Sequence, residues 1–311
     1  MSLAALILLF PSSNDSEALD VTNRTFWDRH IHEFEEAVLK HVSDQYDAFK
    51  YLPTELLHSD MVYLNRSEAF DLLKSDDMSS SDDFFYFQQG WEVQINQAYC
   101  TVASIAAVMN SLRGQISLPY DQTYNPYPWA TQLEIMRNKC VWDKVMQWSS
   151  DNSHLYFGLG LDMAKQVLDC HFAGQNMDVV ATHVDPATTT VRDVREAIKA
   201  GLFERNARVM INYDRGLVSQ GNLGHGHFSP IGAYNHDMDA FLIMDVAKYK
   251  YPPVWVPAAK LFWSMASPDF CAQYTLPQEM PDLSNKSYAE KVREIGCKLN
   301  YRGFIVVKSA R

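Results

Sequence analysis

Apolar residues recur at helical spacing through much of the earlier part of the chain, and short apolar runs bounded by turn residues dominate the later part. The clearest helical pattern covers residues 101–113, where Val102, Ile105, Met109 and Leu112 share one face and Ala103, Ala106 and Ala107 allow close packing on others. Residues 161–168 and 191–200 also read as helices, the second with charged residues interleaved. Phe26, His30, Phe34, Val38 and Tyr46 mark an amphipathic helix within residues 25–50. Strands are predicted at 179–182, 209–213, 228–234, 241–246 and 304–307. Residues 75–83 read as an exposed Ser/Asp/Met loop, and 119–128 as a Pro/Tyr/Asn-rich one. Helices mainly before strands predict an α+β architecture, with the helix after Cys100 packed on an antiparallel sheet.

That places Cys100 at or near a helix N-terminus, and the placement carries chemistry. The positive end of the helix macrodipole and the unpaired first-turn amides favour thiolate over thiol. A lone Cys there is more often a small buried hydrophobe, so the case rests on what accompanies it. Gln94 lies six residues upstream, His227 more than a hundred residues downstream, and Asp245 after that. The order Cys, His, carboxylate is that of papain-like thiol catalysts. Residues 228–234 and 241–246 read as a hairpin, which makes His227 and Asp245 cross-strand neighbours, the carboxylate taking the imidazole Nδ1 proton. Gln94 would donate, with the Cys100 backbone N–H, to the oxyanion of a tetrahedral intermediate.

Three blocks then resemble the phytochelatin synthases, papain-like enzymes that act on glutathione. Asn96-Gln97-Ala98-Tyr99-Cys100, with Ala103-Ser104 and Asn110-Ser111-Leu112, resembles the family's nucleophile segment. Gly226-His227-Phe228-Ser229-Pro230-Ile231-Gly232-Ala233-Tyr234-Asn235 resembles its His segment. The stretch from Asp245 through Ala247-Lys248-Tyr249-Lys250-Tyr251 to Val256-Pro257 resembles its Asp segment. The similarity runs from residue 61 onward and is dense only in these blocks.

The resemblance implies a papain-like fold, with Cys100 as nucleophile, His227 as general base and acid, Asp245 as orienting carboxylate and Gln94 as oxyanion donor. Asn212-Tyr213-Asp214-Arg215 is similar to a further motif, which makes Arg215 the expected clamp on a glutamyl carboxylate; without the motif, Arg215 reads as a surface residue closing a turn. Lys248 and Lys250 are the expected site for a second anionic peptide. Thr101 stands where the family usually has Gly, and Lys248 where Arg is common, so a carboxylate there would meet a point charge in place of a planar fork. The implied reaction transfers a gamma-glutamylcysteinyl unit from glutathione, through a Cys100 thioester, to a second glutathione or a phytochelatin peptide. Cadmium or zinc is expected as activator or as metal-thiolate substrate, with no fixed cofactor and no protein-held metal. Two other readings stay open: a hydrolase of glutathione or its conjugates, and a non-catalytic glutathione or metal-thiolate binding protein. Metal sensing by the Cys-rich C-terminal extension of the plant enzymes is not carried over.

Composition narrows the picture. The chain has 311 residues, 47% of them hydrophobic, enough for one sizeable core, expected as a catalytic domain over 56–311 with a helical extension over 1–55. A net charge of −11 without a Lys/Arg cluster argues against nucleic acid. The apolar run 3–10 is too short to span a bilayer, so no membrane partner is expected. The 25–50 helix is expected to pack on the catalytic domain, a homodimer contact being the sharper alternative. Cys100, Cys140, Cys170, Cys271 and Cys297 are scattered and odd in number, which predicts no disulfide framework and a reducing, cytoplasmic compartment. His225 and His227 form an HxH pair that could suggest a metal, but His227 has the better explanation as a base.

Overall fold

Central strand β4 (Gly226–Asn235) is buried at every position after Gly226, the polar His227, Ser229 and Asn235 included, and its neighbours explain why. The computed structural model describes residues 61–74, 82–148, 158–218, 220, 226–267, 269 and 301–310. Among these, β1 (Val62–Tyr63), β2 (Met177–His183), β3 (Arg208–Asp214), β4, β5 (Ala240–Ile243), β6 (Val254–Pro257) and β7 (Gly303–Ser309) form one sheet. The order is β1-β6-β5-β4-β3-β7-β2, and every pairing is antiparallel. The α+β expectation holds. Each predicted strand is present, and β1 and β6 were missed because each is too short to show an alternating pattern.

Both faces of the sheet are covered. Successive strand residues point to opposite sides, so Met210, Phe228, Leu242, Trp255 and Ile305 pack under α3 (Cys100–Ser111) and α6 (Leu161–Phe172). Val209, Ile211, Ile231, Phe241, Val254 and Phe304 pack under α7 (Val191–Phe203) and α8 (Ala258–Met265). The remaining helices are α1 (Ser67–Lys74), α2 (Asp82–Gln88), α4 (Gln132–Arg137) and α5 (Lys139–Trp148). Helix α7 begins at a capping box: Thr190 Oγ1 accepts from Asp193 N at 3.2 Å, and Asp193 Oδ2 accepts from Thr190 N at 3.0 Å.

Two sequence expectations are corrected here. Asp83 was assigned to an exposed loop, yet it lies in α2, is buried, and holds the Arg208 guanidinium at 3.1 Å. The aromatic residues after it supply the apolar contact that its own polarity hides, with Arg208 stacked 4.5 Å over the Tyr86 ring. Arg208 also donates to Ser111 O at the C-terminal end of α3, a position where a cation suits the helix dipole. Cys140 and Cys170 were expected unpaired, but α5 and α6 bring their Cα atoms within 5.7 Å and the two form a disulfide. Spacing along the chain does not report how two helices pack. Cys271, Cys297, His225 and the 25–50 helix lie outside the described residues. Among those described, no helix is long and apolar enough to cross a membrane.

The β7–β2 pairing is tight enough to test. A Cβ on Gly303 would lie 1.9 Å from Thr182 O, a backbone atom that cannot swing aside. Gly303→Ala is expected to cost about 3 kcal/mol, the upper end for overpacking, read as a lower urea midpoint at unchanged slope.

Candidate active site

Cys100 is the first residue of α3, and all of that helix is buried, so its first turn has a fixed position. The chain reaches it along a pinned path. Gln94 N donates to Val246 O at 2.9 Å, Ile95 N to Gln132 Oε1 at 3.0 Å, and Gln132 Nε2 back to Val93 O at 2.9 Å. Asn96 Oδ1 then accepts from Ala98 N at 2.9 Å to make the last turn before the helix. Among the described residues no side chain caps α3, and its first-turn amides, that of Cys100 among them, point out of the helix start.

His227 enters at the start of β4, paired with Tyr213 of β3, whose ring meets the imidazole edge to face at 5.5 Å. Its Nε2 lies 3.0 Å from Asp245 Oδ1. The hairpin expectation is right about the pair and wrong about the route. A bulge between Ile231 and Ala233 shifts the register, β5 ends at Ile243, and Asp245 reaches His227 from beyond the strand. The carboxylate is fixed by Ala247 N, which donates to Oδ1 at 2.7 Å. The nitrogen facing Asp245 is thus Nε2 rather than Nδ1, which leaves Nδ1 for the thiol. Cys100 is hydrogen-bonded to His227 and to the Phe228 backbone N–H.

Arg215 follows β3 and is buried, so the reading of a surface Arg fails. It donates to Gln220 Oε1 at 3.2 Å and to Asp245 Oδ1 at 2.9 Å, and stacks 5.1 Å over the Tyr251 ring. The same Nη2 lies 2.6 Å from His227 Nε2. A guanidinium nitrogen has no acceptor lone pair, so Nε2 either accepts from Arg215 or donates to Asp245. An imidazolium would have to release Arg215.

Gln94 is buried, with Nε2 donating to Asn96 O at 2.8 Å and to Tyr249 Oη at 3.0 Å, while Oε1 has no hydrogen-bond partner among the described residues. Lys248 donates to Trp91 O at 2.7 Å with its ammonium 3.4 Å over the Trp91 ring, and Lys250 donates to Gln97 Oε1 at 2.6 Å. Three consecutive residues after Asp245 thus stitch its segment to the one before Cys100, an arrangement that single-strand patterns give no sign of. Both lysines are exposed, and each keeps hydrogens for another acceptor. Lys250 feels the charges of Arg215, Asp245 and Cys100, whereas Lys248 feels that of Glu92.

Charge settles what the cluster can do. Burial pushes the Cys100 thiol up, but the His227 hydrogen bond and charge, the Phe228 N–H and the Arg215 charge outweigh it, and the net shift is downward. Burial likewise opposes ionisation of Asp245, yet Arg215 first and His227 next hold it well below the usual carboxylate range. The result is a thiol disposed to ionise beside an imidazole whose far nitrogen faces a permanent anion, the equipment for nucleophilic attack on an acyl carbon. Among the described residues no group of three or more His, Cys, Asp or Glu is placed to hold a metal ion.

Comparison with known proteins agrees with the blocks read from the sequence. The phytochelatin synthase family model matches residues 52–275, well over half of the chain. Glutathione gamma-glutamylcysteinyltransferase 1 of Arabidopsis thaliana is 31% identical over 188 residues, 60% of this chain and 34% of that protein. Glutathione gamma-glutamylcysteinyltransferase of Schizosaccharomyces pombe is 34% identical over 195 residues, 59% of this chain and 39% of its own. The matches span little more than a third of these relatives' length.

Proposed function

The chain belongs to the phytochelatin synthase family, and from that premise we propose that it is an acyl transferase making phytochelatins from glutathione. The observation that carries this reading is the buried trio in which Cys100 is hydrogen-bonded to His227 and His227 Nε2 faces Asp245. His227 takes the Cys100 proton, and the thiolate attacks the carbonyl of the Cys–Gly amide. The tetrahedral intermediate collapses as His227 returns the proton to the leaving amine, releasing glycine and a gamma-glutamylcysteinyl thioester. The alpha-amine of a second glutathione, or of a phytochelatin peptide, then attacks the thioester carbonyl and gives up a proton to His227; the C–S bond breaks, Cys100 leaves and regains its proton, and the product is longer by one gamma-Glu-Cys unit.

Arg215 fits the clamp role in a particular way. Its contact with His227 cannot coexist with a protonated Nε2, so a glutamyl carboxylate that drew Arg215 away would free the imidazole to form its bond to Asp245. Lys250, within electrostatic reach of Cys100, suits the acceptor carboxylate better than Lys248. Cadmium or zinc enters as cargo on substrate thiolates, for which no resident protein ligand is needed. A cytoplasmic setting supplies glutathione and would reduce the Cys140–Cys170 pair, so the scattered cysteines no longer argue for that compartment.

The test is mass spectrometry of products from glutathione, with and without cadmium or zinc, beside a Cys100→Ala control. Glycine together with gamma-Glu-Cys oligomers that increase with metal is expected. Glycine with gamma-glutamylcysteine alone would make the protein a hydrolase, and unchanged glutathione would refute both enzyme readings.

A further inference from the structure

The Cys140–Cys170 disulfide joins α5 to α6, its ends 30 residues apart in sequence and their Cα atoms 5.7 Å apart in space, and the acyl-transfer steps make no use of it. Cys140 is exposed and Cys170 half-buried, so the bond can be reached by a small thiol from the Cys140 side. The two ends also differ electrostatically. Cys140 is the second residue of α5, where Asn138 Oδ1 accepts from its amide at 2.9 Å and from that of Val141 at 3.4 Å. Cys170 lies in the last turn of α6. The helix dipoles therefore favour a thiolate at Cys140 over one at Cys170. Neighbouring carboxylates are balanced, Asp143 by Lys139 at 2.6 Å and Asp169 by Lys165 at 2.7 Å, so an anionic thiol peptide is not driven off.

Opening the bond leaves α6 in place. Leu161, Ala164, Val167 and Leu168 pack into the core that holds α3, and His171 Nε2, 3.1 Å from Ile135 O, ties α6 to α4. Helix α5 has less to hold it, since Val141 is the one buried side chain among those described in it. The cross-link thus bears on α5 more than on α6.

We propose that Cys140–Cys170 is a reversible thiol–disulfide exchange site for glutathione, entered at Cys140, which fastens α5 to α6 when the glutathione pool is oxidised and releases it when the pool is reduced. It does not depend on the acyl-transfer reading, whose sulfur is Cys100. In the reducing direction a glutathione thiolate attacks Cys140 Sγ, the protein S–S bond breaks, and Cys170 leaves as a thiolate that takes a proton from water. A second glutathione thiolate attacks the glutathione sulfur of the mixed disulfide and expels the Cys140 thiolate. Two glutathione thiols become one glutathione disulfide, the protein disulfide becomes two thiols, and the two protons pass from glutathione to the protein through water. In the oxidising direction Cys140 attacks glutathione disulfide and Cys170 resolves the mixed disulfide.

The test uses the full chain carrying Cys100→Ala, which turns over no glutathione, so failure here is distinct from failure of the acyl-transfer reading. The protein is equilibrated with glutathione and glutathione disulfide at graded ratios, quenched in acid and alkylated, and Cys140 and Cys170 are followed by peptide mass spectrometry. Reversible passage between the cross-linked peptides and two free thiols is expected. Adding Cys170→Ser should let glutathione disulfide modify Cys140 at least about tenfold faster than it modifies Cys170 when Cys140→Ser is added instead. Reduction should lower the urea midpoint, with the folding equilibrium constant falling about 100-fold, and the midpoint should cease to depend on the ratio in Cys140→Ser. A pair that stays cross-linked in excess glutathione alone is a permanent staple, and a pair that never cross-links in glutathione disulfide is no exchange site; either result overturns the proposal. Equal or reversed modification rates would overturn entry at Cys140, and a urea midpoint blind to the ratio would overturn the fastening of α5.

Discussion

Cys100→Ala and His227→Ala are each expected to lower glycine release from glutathione by about 10⁴-fold or more, and the double variant to lower it no further, because nucleophile and base act as a unit. The two differ in what they leave behind. Cys100→Ala removes the bond-forming atom, and its small side chain fits where the thiol was. His227→Ala keeps the thiol but removes the largest influence opposing burial, namely the hydrogen bond and positive charge that draw the Cys100 thiol down. Burial remains and acts alone against the Phe228 N–H and the Arg215 charge. The thiol should then titrate higher than in the wild type. Iodoacetamide alkylation against pH reports this directly: the wild-type rate should persist below the ordinary thiol range, about pH 8.5, and the His227→Ala profile should move to higher pH. An unmoved profile would mean that the imidazole does not set the thiolate, and the pairing of the two residues would have to be abandoned.

What the sequence made legible, and what it concealed, follows from the range of the interactions involved. The nucleophile helix was readable because its cause is local: apolar and alanine positions repeat at helical spacing, and the structure places α3 over Cys100–Ser111 within two residues of the expected bounds. The His227–Asp245 partnership was readable from the hairpin, but not the nitrogen it uses. That depends on a bulge in β4 and on where β5 stops, which turn chemistry between residues 235 and 240 does not encode. Arg215 and Asp83 mark the limit more sharply. Each looks like a solvated charge in its own segment, and each is buried because a distant element supplies the opposite charge, Asp245 in one case and Arg208 in the other. Tyr249 was passed over between two lysines chosen for their charge, although its hydroxyl makes the contact with Gln94. The helices α4, α5 and α8 are short and escaped a search for long periodic segments.

Arg215→Met is expected to destabilise the protein by about 3–5 kcal/mol, because it breaks a buried ion pair by removing one partner and leaves the other charge without compensation. Neither side chain is screened by solvent: Arg215 is 9% exposed and Asp245 not at all. The acid limb of stability should move as well. In the wild type the folded-state Asp245 is depressed below its unfolded value, so its contribution is present above about pH 3.9 and lost as pH falls through the folded value. Arg215 is the largest influence holding it down against burial. Without it the folded value rises, the contribution shrinks at neutral pH, and acid unfolding should begin at a higher pH. Urea titrations at pH 7 and pH 5 measure both effects. The comparison also separates the two roles available to Arg215. A residue that only clamps substrate would raise KM and leave the urea midpoint and the Cys100 alkylation profile where they were. A residue that holds Asp245 ionised as well must shift the midpoint, and must draw the alkylation profile upward, since its charge also favours the thiolate.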